Sequence, residues 1–269
     1  EFKKMLAIFL SAALFVTAFA GCGKKKADGI TVQIGPNPET LDPALNSAVD
    51  GGNMLITLFE TLLIIDQDNK VQPGQAEKYV VSDDGLTWTF TMRDGLKWSD
   101  GTELNAKDFE YTFKRIAVVG MIEGYDEAIE SKDPEKLNVK ASDDGKTLTI
   151  KLSYPCSYFD KIVAFGTMSP VQKATVEKNG DSWATKPETY VCNGPYTITE
   201  WTPSEKIVCK KNENYKGGWD SSKIVNDKLT FLLLEDSSAS YAAYTGGTAQ
   251  LIKDVPTEEI PTLKKDKKD

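Results

Sequence analysis

Three Asp-Gly pairs in close succession, Asp84-Gly85, Asp94-Gly95 and Asp100-Gly101, constrain this chain more than anything else in it. Asp-Gly supplies the left-handed backbone that a tight reversal needs, so no long helix can run through this stretch. Between the first two pairs, Thr87, Thr89 and Thr91 alternate with Trp88, Phe90 and Met92. That period of two predicts a half-buried strand, with Trp88 facing the core. After the third pair, Asn105 is placed to cap a helix, and Asp108 stands three residues on, as in a capping box. Phe109, Phe113, Ile116 and Ala117 then share one helical face. The segment from Tyr79 to Arg115 is therefore expected to be antiparallel hairpins leading into one amphipathic helix.

A partial echo of the first turn lies downstream, where Ser142-Asp143-Asp144-Gly145 precedes Thr147-Leu148-Thr149-Ile150. The surrounding residues do not match those around Ser82-Asp83-Asp84-Gly85, so shared hairpin chemistry is favoured over a duplicated unit. The paired aspartates lack the ligand spacing of an EF-hand and read as turns. Elsewhere, Ile30 to Gly35 is expected to be a strand in which Thr31 and Gln33 alternate with Val32 and Ile34. Asn37 to Asp50 reads as a loop. Asn53 to Leu63 reads as a helix, with Met54, Leu55, Leu58, Phe59 and Leu62 on its apolar face. Helices are expected over Tyr158–Phe165, Val171–Asn179 and Ser238–Tyr244, with Gly246-Gly247 stopping the last. Strands are expected over Tyr196–Trp201, Ile207–Lys211 and Ala249–Ile252, with a well-buried one at Lys228–Leu234. Mixed strands and helices without strict alternation point to an α/β fold carrying an antiparallel part.

Composition removes whole classes of chemistry. The sequence contains 0 histidines, which excludes histidine triads, histidine general bases and histidine metal ligands. No serine sits in a G-x-S-x-G elbow. Glu200, Glu205 and Asp220 have no sequence rule bringing two of them to glycosidase spacing. The net charge of -8 opposes binding to nucleic acid. No catalytic residue, metal ligand or cofactor is therefore expected, and no enzymatic activity. Of the five tryptophans, Trp219 beside Gly217-Gly218 is the one expected at the surface.

The N-terminus reads as an export signal. Lys3 and Lys4 precede an apolar run from Met5 to Ala20, too short to be preferred as a membrane span. Phe19-Ala20-Gly21-Cys22 resembles a bacterial lipobox, with Phe19 where Leu is usual. That resemblance implies cleavage before Cys22 and acylation there (diacylglycerol on the thiol, a palmitate-type chain on the amine). Lys24 to Lys26 would then lie against an anionic membrane surface. With Cys22 used, Cys156, Cys192 and Cys209 remain, and buried free thiols are favoured over a disulfide.

A longer series of phrases carries a family resemblance. Thr40-Leu41-Asp42-Pro43 is followed by Leu58-Phe59-Glu60-Thr61-Leu62-Leu63 and Pro73-Gly74-Gln75-Ala76-Glu77. Then come Lys97-Trp98-Ser99-Asp100-Gly101-Thr102, Asn105-Ala106-Lys107-Asp108-Phe109, Ser169-Pro170-Val171, Asn193-Gly194-Pro195-Tyr196 and Asn212-Glu213-Asn214-Tyr215. In this order they resemble extracellular solute-binding proteins of family 5, the oligopeptide- and dipeptide-binding receptors of ABC importers.

The resemblance implies a type II periplasmic-binding-protein-like lobe, a mixed sheet with flanking helices, plus an inserted antiparallel α+β subdomain. It implies a signal peptide over 1–21 and a lipid-anchored tether over 22–29. Lobe I would take 30–60 and 188–252, with the subdomain at 61–187. Residues 253–269 would form the hinge and the start of a lobe II otherwise lacking here. The ligand-contacting loop corresponds to Ser47, Ala48, Val49 and Asp50, and Tyr125 is the nearest tyrosine to the position of a ligand-side one. The implied partners are a peptide and the membrane subunits of an ABC permease. The protein would be a monomer outside the cytoplasmic membrane, anchored to its outer face in a Gram-positive host. Relatives with other cargo carry nickel chelates, haem or oligosaccharides, and a structural or adhesive surface lipoprotein is the alternative from another class.

Overall fold

The computed structural model describes residues 29–116 and 120–266. The export signal, Cys22 and the Lys24–Lys26 run lie outside the described residues. In chain order the strands are β1 (Ile30–Gln33), β2 (Leu63–Ile65), β3 (Val71–Pro73), β4 (Ala76–Val81), β5 (Thr87–Met92), β6 (Val139–Ala141), β7 (Thr147–Lys151), β8 (Tyr196–Thr202), β9 (Lys206–Lys211) and β10 (Lys228–Leu232). The helices used below are α1 (Val49–Leu58), α2 (Ala106–Ile116), α3 (Tyr125–Ser131), α4 (Phe159–Val163), α5 (Lys173–Asn179) and α6 (Ser237–Thr245).

Three sheets organise the chain. The first has the order β1-β10-β9-β8, so strands from the two ends of the described chain meet in it. β1 runs parallel to β10, with Val32 opposite Phe231, and the other pairs are antiparallel. A crossing segment adds to the far side of β1, where Gln33 N–H donates to Leu251 O at 2.9 Å and Gln250 N–H to Thr31 O at 2.9 Å. The second sheet is the β2-β3 hairpin. The third has the order β4-β5-β7-β6.

That third sheet is two hairpins joined through their second strands, β5 and β7, with Trp88 opposite Ile150 and Phe90 opposite Leu148. The echo in the sequence is an echo in bonding. In one turn Leu86 N–H donates to Asp84 Oδ1 at 3.0 Å and Thr87 N–H to Ser82 Oγ at 2.9 Å. In the other, Lys146 N–H donates to Asp144 Oδ1 at 3.0 Å and Thr147 N–H to Ser142 Oγ at 3.0 Å. The short Ser and Asp side chains replace missing backbone partners at both reversals, which is generic turn chemistry.

β5 alternates as expected, with Trp88, Phe90 and Met92 buried and the threonines half-buried. Trp88 lies edge-on to Phe159 of α4, with ring centroids 5.2 Å apart. α2 packs on β6 and β7 through Phe109 and Phe113, both buried. Its capping box is complete: Lys107 N–H donates to Asn105 Oδ1 at 3.0 Å, and Asn105 N–H to Asp108 Oδ2 at 3.0 Å.

Several expectations are corrected. The first helix occupies Val49–Leu58, beginning before Asn53 and ending before Leu62. Phe59 turns extended (φ -129, ψ 159), and Leu63 joins β2, because its run can pair with β3. Val49 and Asp50 thus belong to the helix's first turn, not to a loop. Gln33 is buried, its Nε2 donating to Leu234 O at 2.7 Å and its Oε1 accepting from Lys253 N–H at 2.9 Å. Polar residues can take inward positions when bonds replace water. β10 is only half-buried, with Phe231 its one deeply covered side chain, since one of its faces stays partly open. The expected strand at Ala249–Ile252 is reduced to a single bridge between Leu251 and Val32.

Candidate ligand cleft

A cleft of about 480 Å³ opens beside α1. Its walls come from the loop before α1, the exposed side of α1, the Glu60–Ile65 segment, the stretch following α4, and Trp219. The volume lies in the range of small-molecule and peptide-side-chain sites. Ser47, Ala48 and Val49 line it, whereas Asp50 does not. Asp50 instead pairs with Lys253, Oδ1 to Nζ at 3.1 Å, and this contact raises the lysine's pKa. Tyr125 is also outside the walls; it starts α3 and packs half-buried against the core.

Ala48 is the N-cap of α1 and offers no side-chain acceptor. The first N–H groups of the helix therefore lack the usual side-chain cap, at the end where Ser47, Ala48 and Val49 line the cleft. Around them, several of the chain's most exposed apolar side chains gather. Val49 is 72% exposed, Phe165 66%, Ile56 62%, and Ile65 and Trp219 38% each, and all line this cleft. Scattered exposed apolar residues are ordinary; a convergent group marks a binding surface.

The main chain at Gly218-Trp219 is held in place by a buried carboxylate. Glu60 Oε1 accepts from Gln75 Nε2 at 2.9 Å and from Gly218 N–H at 2.7 Å, and Oε2 accepts from the Tyr215 hydroxyl. The Tyr215 oxygen in turn accepts from Trp219 N–H at 3.1 Å. Burial, and then the Glu60 charge, raise the Tyr215 pKa. Gly218 is required because a Cβ there would collide with the backbone oxygen of Pro73. The main chain of Glu60 is fixed as well, exchanging two bonds with the Asn193 side chain at 3.1 and 2.8 Å. The neighbouring Gly194 N–H donates to Leu58 O at 2.8 Å, and a Cβ on Gly194 would strike the Leu58–Phe59 backbone.

A second joint ties the loop before α1 to the helical part of the chain. Asp42, buried, receives both guanidinium nitrogens of Arg115, at 3.0 and 2.5 Å, and the Trp183 indole N–H at 3.0 Å. Burial opposes the Arg115 charge, but the bonds and charge of Asp42 prevail and raise its pKa. The Tyr190 hydroxyl donates to Leu41 O at 3.0 Å. The motif residues Asp42, Glu60 and Asn193 are thus buried and bonded inside the molecule, and Trp98 is buried in the core.

The three cysteines are buried free thiols. Burial pushes Cys192 up to about 11, which keeps it protonated and unreactive at neutral pH. Among the described residues no cluster of acidic or thiol side chains could hold a metal. No helix among them is long and apolar enough to cross a membrane.

Sequence reasoning missed Ile56, Phe165 and the role of Glu60. Two signals were available. Ile56 is apolar yet stands off the apolar face of its helix, and Glu60 is a carboxylate set in an apolar run. Phe165 follows α4 with no local sign of its orientation.

The pattern of bacterial extracellular solute-binding proteins, family 5, matches residues 70–269. The chain belongs to this family. The periplasmic oligopeptide-binding protein OppA of Salmonella typhimurium is 34% identical over 278 aligned positions, covering 97% of this chain and 50% of that protein. The oligopeptide-binding protein OppA of Bacillus subtilis is 35% identical, covering 93% of this chain and 48% of that protein. The chain spans about half the length of the curated relatives it matches. Among solved structures, Haemophilus influenzae OppA in complex with the peptide RPPGFSPFR superimposes with a TM-score of 0.81 at 29% identity, over 90% of this chain and 49% of that one. The fold is that of a type II periplasmic-binding-protein lobe with an added antiparallel sheet, as the resemblance implied.

Proposed function

We propose that this protein is the substrate-binding component of an ABC importer, capturing peptides outside the cytoplasmic membrane and handing them to a membrane permease. It works by binding, without chemical conversion of its cargo. The observation that carries this reading is the position of Ser47, Ala48 and Val49, the loop given to ligand contact by the resemblance, on the wall of the cleft. The uncapped N–H groups at the start of α1 suit it, because main-chain recognition tolerates many peptide sequences.

In this reading the first sheet, with strands from 30–60 and 188–252, is lobe I, and 61–187 is the subdomain. The hinge begins at Lys253, which is already tied to Asp50 and to Gln33. Cys22 anchors the protein through lipid to the outer face of the membrane, and the protein acts as a monomer. Calorimetric titration of the intact protein with a mixed peptide library tests the cargo. Saturable heat is expected, and its absence overturns the peptide reading. Cys22→Ala is expected to release the protein from membranes; unchanged fractionation overturns the anchor.

A further inference from the structure

We infer that this cleft selects its peptide by an apolar side chain, received between Phe165 and Ile56 on the wall and Trp219 at the lip. The inference rests on the peptide reading above and adds what the peptide must carry. Three observations lead to it.

The first is convergence. Phe165, Ile56 and Trp219 come from distant parts of the chain, are left open to solvent, and line one concavity. Their exposed surface has no partner within the described residues, and covering it with an apolar group is favourable.

The second is charge. Among the described residues Glu60 is the only ionisable side chain on these walls. Its oxygens are already taken by Gln75, Gly218 and Tyr215. A Lys, Arg, Asp or Glu side chain of the ligand would therefore surrender water and meet no free counter-charge on these walls, a cost that disfavours it there.

The third is rigidity. The main chain bearing Trp219 is held by the Trp219 backbone N–H bond to Tyr215 and by the Gly218 backbone N–H bond to Glu60. The turn bearing it cannot swing away without stranding a buried carboxylate. A lip whose main chain is fixed in advance loses little backbone freedom on binding, which suits an affinity anchor. Glu60 is accordingly a positioning residue for Trp219 rather than a ligand contact.

The test uses the intact protein and a series of alanine pentapeptides. A single Phe, Leu, Lys or Asp is walked through each position, with affinities read by calorimetry. At one position Phe and Leu are expected to bind about tenfold or more tighter than Lys or Asp, the discrimination an apolar pocket can give. Trp219→Ala and Phe165→Ala are each expected to weaken the best Phe peptide about fivefold or more and the all-alanine peptide less than about twofold. Trp219→Phe should keep the preference, which separates loss of the anchor from loss of fold. Equal binding across the series, or an equal loss for every peptide in the variants, overturns the inference and leaves the peptide reading standing. Silence from every peptide overturns both. Acrylamide quenching, compared between wild type and Trp219→Phe before peptide is added, reports whether another part of the protein already covers the lip. A shielded Trp219 in the ligand-free protein also overturns the inference.

Discussion

The twin-hairpin sheet with α2 and the cleft beside α1 obey opposite rules. In the hairpin region every aromatic face of β5 is covered, each turn carries its own side-chain acceptors, and the helix cap is closed from both directions. At the cleft the apolar side chains are open, the helix cap offers no acceptor, and the polar group beneath the lip is turned inward. One region turns its aromatic side chains and turn acceptors to folding, and the other leaves a convergent apolar group open. The recognisable motif residues belong to the first kind even where they border the second: Asp42 and Glu60 lie next to the cleft yet bond only to the protein.

If that contrast is right, substitutions at the joints should unfold the protein and substitutions at the walls should not. Asp42→Ala is expected to have the largest effect. It leaves the Arg115 guanidinium and the Trp183 indole N–H without their acceptor, and breaking such a buried pair costs about 3–5 kcal/mol. Urea unfolding measures this, and a loss below about 1 kcal/mol would mean the joint is not the structural element described here. Next comes Glu60→Gln, which turns an amide NH₂ toward at least one of three donors. A loss of about 1–3 kcal/mol in the same assay is expected, with increased acrylamide access to Trp219. A destabilised variant with an undisturbed Trp219 would separate the carboxylate's structural role from its positioning role.

Asp108 sharpens the comparison through pH. Burial raises its carboxyl from 3.8 to about 6, against the opposing pull of its cap bond to Asn105. The folded protein therefore holds a proton that the unfolded chain releases between about pH 4 and 6. The associated stability is present below that window and is lost as pH rises through it. Asp108→Asn should flatten this slope in urea titrations between the two pH values, and an unchanged slope would assign the pH dependence to other groups. The smallest effect is expected at the wall. Ile56→Ser should leave the unfolding free energy within about 0.5 kcal/mol of wild type, because Ile56 is open to solvent in the folded state already. A larger loss would show that the wall is part of the core and remove the distinction.

Much of the scaffold was legible before any coordinates. The alternation at Thr87–Met92, the Asp-Gly reversals and the Asn105–Asp108 cap are local: each is settled by residues within a few positions, and each appears where expected. The burial of Cys156, Cys192 and Cys209 and the exposure of Trp219 are equally local expectations that the fold bears out. The limits of α1 did not. The apolar run from Met54 to Ile65 fits a helix face almost throughout, and only pairing of β2 with β3 ends the helix at Leu58. The burial of Gln33 is likewise not local, since its partners Leu234 and Lys253 are distant in the chain.

The class of the molecule is written in its residues: where the chain must turn, which strands alternate, which helix is capped, and, through its ordered phrases, the family. Those features depend on backbone preference and short-range hydrogen bonding, which act between near neighbours. Long-range packing alone makes Glu60 hold the main chain at Trp219, pairs Asp50 with Lys253 while Val49 lines the cleft, and brings Ile56 and Phe165 onto one wall. These are contacts across long loops. They depend on which surfaces remain uncovered once the core has closed, and no local pattern of residues records that.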